Sequence, residues 1–394
     1  MSQRPVTASR LLRKLFRPMA ALAAVLVLPS AGLQAAQTMV GPPGILKIGV
    51  GAPMTGSDSV FGAELRNGVE QAVADYNATG GVLGRKLAVE VGDDAGDPKQ
   101  GIAIAKRFAA NYVRFVIGHF NSGVTLAASN FYADNDILAI TPASTNPQIT
   151  SRGYPLIFRT CGRDDEQPKV AAEFLAGLGK TKIAIVYDKS TYGKEMADAT
   201  RKALSDRGIK EVLYEGVNKD EKDYSALVGK LRSSGADYLY FGGDGVAAGR
   251  IVAQMRARGL RTVLIGSSAI ASNEFATAGG DAAEGSYMTF PIDPRSRPEA
   301  AKIVQEFKSR GIDPEAYTLY AYAAAQVIFQ AMDKARSIDP KVVAEAIHSG
   351  MSFSTVLGNI SYDAAGDVTR PDYGIVVWKK ETDGKLDFDP IKPR

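Results

Sequence analysis

From residue 45 onward, apolar and β-branched runs alternate with amphipathic ones. Residues 46–50, 87–91, 115–118 and 137–140 read as one series of strands, and 183–187, 211–214, 238–241 and 263–265 as a second. Helical spacing fills the gaps. Phe61, Leu65, Val69, Ala72 and Tyr76 recur at intervals of four and three, one face of a helix. Ile102, Ala105 and Ala109 repeat the pattern after Asp97-Pro98, a cap followed by a first-turn proline. Helix returns over 298–335, and short strand-like pieces at 358–362 and 375–378 close the chain. Strand–helix alternation with short connections predicts an α/β protein with parallel sheets covered on both faces. The series occurs twice and divides near Thr160-Cys161-Gly162-Arg163, which predicts two doubly wound, Rossmann-like lobes. Open sheets of this kind bind ligands at the carboxyl ends of their strands.

The residues before this pattern differ in kind. Arg4, Arg10, Arg13, Lys14 and Arg17 precede an apolar run over 19–28, then small residues through Ala31, Ala35 and Ala36. This predicts a secretory signal peptide over residues 1–36, with an apolar run shorter than the roughly 20 residues of a membrane span. No cysteine follows the run to carry a lipid. Without this segment, 47 basic residues against 43 acidic become 42 against 43, a net of −1. Nothing in that balance points to nucleic acid or to a membrane surface. Cys161 is the only cysteine, so an exported chain has no intrachain disulfide to lean on.

Candidate chemistry is sparse. The stretch 240–250, YFGGDGVAAGR, has the strand–turn–helix layout of a dinucleotide loop. Its glycines, Gly243, Gly245 and Gly249, are spaced one residue too long, and no acidic residue ends the next strand. His119 precedes Ser122 by three residues, which raises an exported serine hydrolase, but the serine lacks a G-x-S-x-G elbow. Asp93, Asp94 and Asp97 do not have calcium-loop spacing, and capping accounts for Asp97. There is no Cys/His cluster for zinc, and no cofactor is expected. What remains is hydroxyls at strand ends: Ser122 and Thr125 after one strand, Thr141, Ser144 and Thr145 after the next. They read either as helix caps or as donors to one anion.

At these residues the sequence resembles the periplasmic branched-chain amino-acid binding proteins, the type I solute-binding proteins of ABC importers. The markers include "IGVGAPMTG" (48–56), "DDAGDPKQG" (93–101), "FVIGHFNSGVT" (115–125), "ITPASTNP" (140–147), "IAIVYDKSTYGKE" (183–195) and "AYTLYAYAA" (316–324), and the likeness spans residues 45–380. It is nearest to a subgroup some of whose members bind proline or γ-aminobutyrate. The resemblance implies a type I periplasmic binding protein fold whose lobes, joined by three crossovers, comprise 45–161 with 293–370 and 162–292 with 371–394. It implies a non-enzymatic, monomeric receptor that delivers a small carboxylate to an inner-membrane permease, a sensor of the same fold being the alternative. Ser122 and Thr145, with backbone at Ala143 and Ser144, are then expected to hold the carboxylate, while Phe61, Tyr192 and Tyr317 wall the pocket.

This chain departs from the family pattern in two ways. The disulfide of some members would need cysteines at Ala95 and Asn121. Relatives also usually carry an acid at the position of Ser268 to pair with the ligand's ammonium, and this chain does not. Asp244, in the neighbouring turn, stands where an apolar or aromatic residue is usual. Asp244 is therefore either the displaced partner of an ammonium or the N-cap of the helix beginning near Val246.

Overall fold

The computed structural model describes residues 44–179, 181–291, 293–369 and 373–390. The expected leader over 1–36 lies outside them. Strands β1 (Ile45–Ala52), β2 (Lys86–Asp93), β3 (Phe115–Gly118), β4 (Leu138–Thr141) and β5 (Ile157–Arg159) form a parallel sheet in the order β2-β1-β3-β4-β5. The second sheet uses β6 (Ile183–Tyr187), β7 (Leu213–Gly216), β8 (Tyr238–Gly242), β9 (Val263–Gly266) and β10 (Tyr287–Pro291). After a small hairpin, β11 (Phe353–Thr355) and β12 (Gly358–Ile360), the chain rejoins this sheet as β13 (Tyr373–Lys380) and β14 (Leu386–Pro390). Its order is β14-β13-β10-β9-β8-β6-β7, parallel except for the last two strands. This is the two-lobed doubly wound architecture that the alternation predicts. Every residue of β3 and β4 is buried, because helices cover both faces of the sheet.

The first lobe is completed by a late helix. Ala316–Ala335 packs along Ser59–Ala78, whose Phe61, Leu65, Val69 and Ala72 are buried as their spacing predicts. Gly68 makes this close approach possible, since a Cβ there would lie 2.2 Å from the Thr318 carbonyl oxygen. The chain thus crosses between lobes after β5, after β10 and before β13.

Several local expectations need correction. Helix Pro98–Ala110 buries Gly101, Ile104, Ala105 and Phe108, not the stripe through Ile102 and Ala109. The reason lies beneath it: Gly49 and Gly92 leave the space that Phe108 and Ile104 fill, at 3.0 and 2.5 Å from the Cβ positions those glycines lack. The strand expected over 211–214 begins at Leu213, and the helix expected over 298–335 breaks between Ala301–Ser309 and Ala316–Ala335. Strands β5, β10 and β14 are not among the expected ones, although Leu386-Asp387-Phe388-Asp389 in β14 alternates apolar and polar residues.

Candidate functional site

The strand register sets the site. Tyr187 lies opposite Gly242 and Phe241 opposite Gly266, so β6, β8 and β9 end level and their following turns sit side by side. Those turns present Asp188, Asp244 and Ser268. In the first lobe, Gly51 pairs with Gly118, and the turns after β3 and β4 face them from the other side. Between the lobes lies a cavity of about 460 Å³. Ser122, Ala143, Tyr192, Asp244, Ser268 and Tyr317 all line it, joined by Phe120, Asn121, Asp58, Asp188 and Lys219.

On the first-lobe wall, helix Ser122–Asp134 begins without a side-chain cap. Its first-turn N–H groups are left for another acceptor, and the macrodipole favours a negative one. Ser122 and Gly123 border the cavity there. The other expected donors are placed differently. The Ser144 hydroxyl donates to the His119 and Phe120 carbonyl oxygens at 2.9 and 2.8 Å, and its N–H donates to Thr141 Oγ1 at 2.9 Å. Thr145 is buried behind the wall, beside the Asp164 carboxylate, and does not border the cavity. Phe61 likewise stands one layer back. Its ring stacks on Phe120 at 4.1 Å and meets Tyr317 edge-on at 5.8 Å, so Phe120 supplies the exposed face.

The second-lobe wall is acidic. Asp188 accepts the Ser190 N–H and hydroxyl at 3.0 and 2.6 Å with one oxygen and the Asp244 N–H at 3.0 Å with the other. Gly193 permits this, since a Cβ there would lie 2.2 Å from Asp188 Oδ1. Asp244 uses one of its two oxygens within the chain. Its Oδ1 caps helix Gly245–Ala257 by accepting the Ala247 N–H at 2.8 Å, while its buried Oδ2 has no partner within the chain. Burial pushes its pKa up to about 7, with Asp188 and Asp58 adding to the effect and the Ala247 N–H and Lys219 opposing it. Tyr192 Oη lies 3.4 Å from Ser268 Oγ, and Tyr317 Oη donates to the Ser268 carbonyl oxygen at 3.3 Å.

The Ser122–His119 pairing does not form. The His119 ring is fully buried, with Nδ1 2.6 Å from Asp94 Oδ2 and Nε2 2.9 Å from Tyr132 Oη. Asp93 binds the Met54, Thr55 and Ala95 N–H groups, and Asp97 caps its helix, so the aspartates of 93–97 are structural. Among the described residues no acidic, histidine or cysteine cluster is arranged to hold a metal ion, and no helix is long and apolar enough to cross a membrane.

Burial also raises Asp164 and Glu315 to about 7. Asp164, Asp244 and Glu315 therefore keep their protons in the folded chain to higher pH than in the unfolded one, whose carboxyls titrate near 4. Their stabilising contribution is complete below about pH 4 and is lost as pH rises through about 7. The ligand-free protein should accordingly melt several degrees higher at pH 5 than at pH 7.5, measured by scanning calorimetry, and Asp164→Asn should flatten that slope.

Two lobes meeting over a partly open cavity, lined by both polar and apolar side chains, have the form of a receptor for a small molecule. The chain belongs to the periplasmic binding protein family, whose profile matches residues 45–385. It is 49% identical over 342 residues to Leu/Ile/Val-binding protein homolog 1 of Brucella melitensis, covering 86% of this chain and 92% of that one. Among solved structures, a leucine-binding protein from Thermotoga maritima superposes with a TM-score of 0.79 at 27% identity, over 88% of this chain and 99% of that one. An ABC transporter substrate-binding protein from Desulfitobacterium hafniense, in complex with Leu, gives a TM-score of 0.71 at 27% identity, over 88% of this chain and all of that one.

Proposed function

We propose that the protein captures an amino acid in the periplasm and presents its closed form, as a monomer, to an inner-membrane ABC permease. One observation carries this reading. The cavity sets an uncapped helix N-terminus with Ser122 on one lobe against the unpartnered carboxylate oxygen of Asp244 on the other. A zwitterion meets both needs at once. Its carboxylate takes the free N–H groups and the Ser122 hydroxyl beside Ala143, and its ammonium takes Asp244. Tyr192, Ser268, Tyr317 and Phe120 enclose the remainder, with Phe61 buttressing Phe120. Ser144 and Thr145 then act by shaping the Ala143 turn. The names of the relatives support a branched-chain or similar side chain.

Charge-assisted hydrogen bonds of roughly 1.5–3 kcal/mol each are enough for micromolar affinity once closure is subtracted. His119 is turned to Asp94 and Tyr132 and not to Ser122, so binding without turnover is the expected chemistry. Calorimetry and thermal shift across α-amino acids, γ-aminobutyrate and aromatic acids test the reading. An amine-bearing carboxylate should bind at micromolar concentration and raise the melting temperature by mass action. Binding confined to acids lacking an amine would replace the zwitterion with an anion as the ligand class.

A further inference from the structure

An ion pair spans the two lobes at the cavity wall. Asp58 immediately precedes helix Ser59–Ala78 of the first lobe, and Lys219 follows β7, the edge strand of the second sheet. Lys219 Nζ donates to Asp58 Oδ2 at 3.0 Å. The carboxylate is only 4% exposed and is held from two other sides. Asn121 Nδ2 donates to the same oxygen at 2.8 Å, and Ser57 Oγ donates to Oδ1 at 3.1 Å. Both members of the pair border the cavity.

We propose that Asp58 and Lys219 form a closure latch that sets how long the bound solute is retained. Three features carry this. The partners belong to different sheets, so hinge opening must part them, whereas the hydrogen bonds that orient Asp58 stay within the first lobe. The carboxylate is preorganised, so little ordering is needed when the lysine arrives. Asn121 joins the latch to the ligand wall, because it is both a donor to Asp58 and the residue just before Ser122 at the helix start. On the second lobe, Lys219 also faces Asp188 and Asp244, so the latch and the proposed ammonium site lie in one electrostatic field.

Lys219 reaches Asp58 after the solute has docked on one lobe. Its loss therefore speeds release and leaves capture nearly unchanged. Salt weakens this contact only modestly, because the pair is 3.0 Å long and mostly buried, and screening acts chiefly on exposed charges farther apart than the Debye length.

The inference rests on the solute-capture reading, so the test first fixes, by calorimetry on the unmodified protein, which amino acid binds. Stopped-flow tryptophan or tyrosine fluorescence then gives kon and koff for that amino acid with Asp58→Asn, Lys219→Met, the double variant and Lys219→Arg. The expected result is koff raised about tenfold in each of the first two, with no further rise in the double variant and kon within about twofold. Lys219→Arg should recover most of the slow release. In 1 M salt release from the unmodified protein should quicken only modestly and stay slower than in the variants. Melting temperatures of the ligand-free variants should stay within a few degrees of the unmodified protein, which separates a latch from a folding contact. Unchanged koff, additive effects, or a loss confined to kon would overturn the latch while leaving solute capture intact. Failure of every amino acid to bind the unmodified protein would instead remove the reading beneath it.

Discussion

Asp244→Asn should weaken binding of an amino-acid ligand roughly thirty- to a hundredfold, the largest single effect on affinity expected in the cleft. Truncating one partner of a buried charge pair costs ~2–5 kcal/mol, much of it from the charge left behind, and the lower end applies here. At neutral pH this carboxyl, pushed up to about 7, is only partly ionised before the ligand arrives. The substitution spares the fold, because asparagine caps helices as well as aspartate and Oδ1 can still accept the Ala247 N–H. The sign of the pH effect is fixed by the same group. An ammonium pairs with the ionised form, so affinity should rise with pH up to and slightly beyond 7 and then level off. The asparagine variant should lose that rise. Titration calorimetry at several pH values between 5.5 and 8.5 measures both. An unchanged dissociation constant would move the ammonium to another carboxylate, with Asp188 the nearest choice, since it already accepts the Asp244 N–H.

Arg159→Met should have the largest effect on stability. This arginine is fully buried at the end of β5, where the chain first leaves the first lobe. Its Nε and Nη2 reach Asp367 Oδ1 at 2.8 and 2.7 Å, Nη1 reaches the Ser144 and Asn146 carbonyl oxygens at 3.2 and 2.7 Å, and Nη2 also reaches Thr150 Oγ1 at 2.7 Å. Removing it leaves a buried carboxylate with Arg163 as its remaining cation, and takes the charged donor from two carbonyls that keep only the Ile149 N–H and the weak Cys161 thiol. Breaking a buried pair in this way costs ~3–5 kcal/mol. Denaturant unfolding should report that loss, together with a fall in melting temperature of at least about 5 °C. Arg159→Lys should recover little, because an ammonium lacks the planar fork that serves four partners here. Affinity should also fall, since the carbonyls released belong to the 143–146 turn on the ligand wall. A variant as stable as the unmodified chain would mean that the crossover is held by its apolar neighbours.

What the sequence made legible followed local chemistry. The two strand series, the buried face of Ser59–Ala78 and the cap at Asp97 each depend on residues close together in the chain. Asp244 was legible as a choice between ammonium partner and helix cap; Oδ1 is the cap, and Oδ2 is left without a partner in the chain. The side-chain identities at the ends of β6, β8 and β9 were visible, but their alignment depends on sheet register. Other features depend on pairs remote in sequence. Asp58 and Lys219 are 161 residues apart and neither has a distinctive neighbourhood. Phe61 and Phe120 are both apolar, and only the stacking order decides which one faces the cavity. The face of Pro98–Ala110 was misread because glycines in the sheet below, not the helix's own spacing, decide where Ile104 and Phe108 settle. His119 looked like a candidate base and is a buried strut between Asp94 and Tyr132, a role that needs three elements to be seen together.

The late helix Ala316–Ala335 has a consequence for biogenesis. Glu64 accepts the Tyr317 N–H across 253 residues, and the helix fills the groove left by Gly68. A chain emerging from its amino end therefore carries every strand of the first sheet long before the element that covers it. Until residue 335 has emerged, Leu65, Val69 and their neighbours remain open to solvent, so the first lobe cannot lock while synthesis is under way. That delay leaves the first lobe incomplete until late in synthesis, and the second sheet is finished later still, because β13 and β14 follow this helix in the chain.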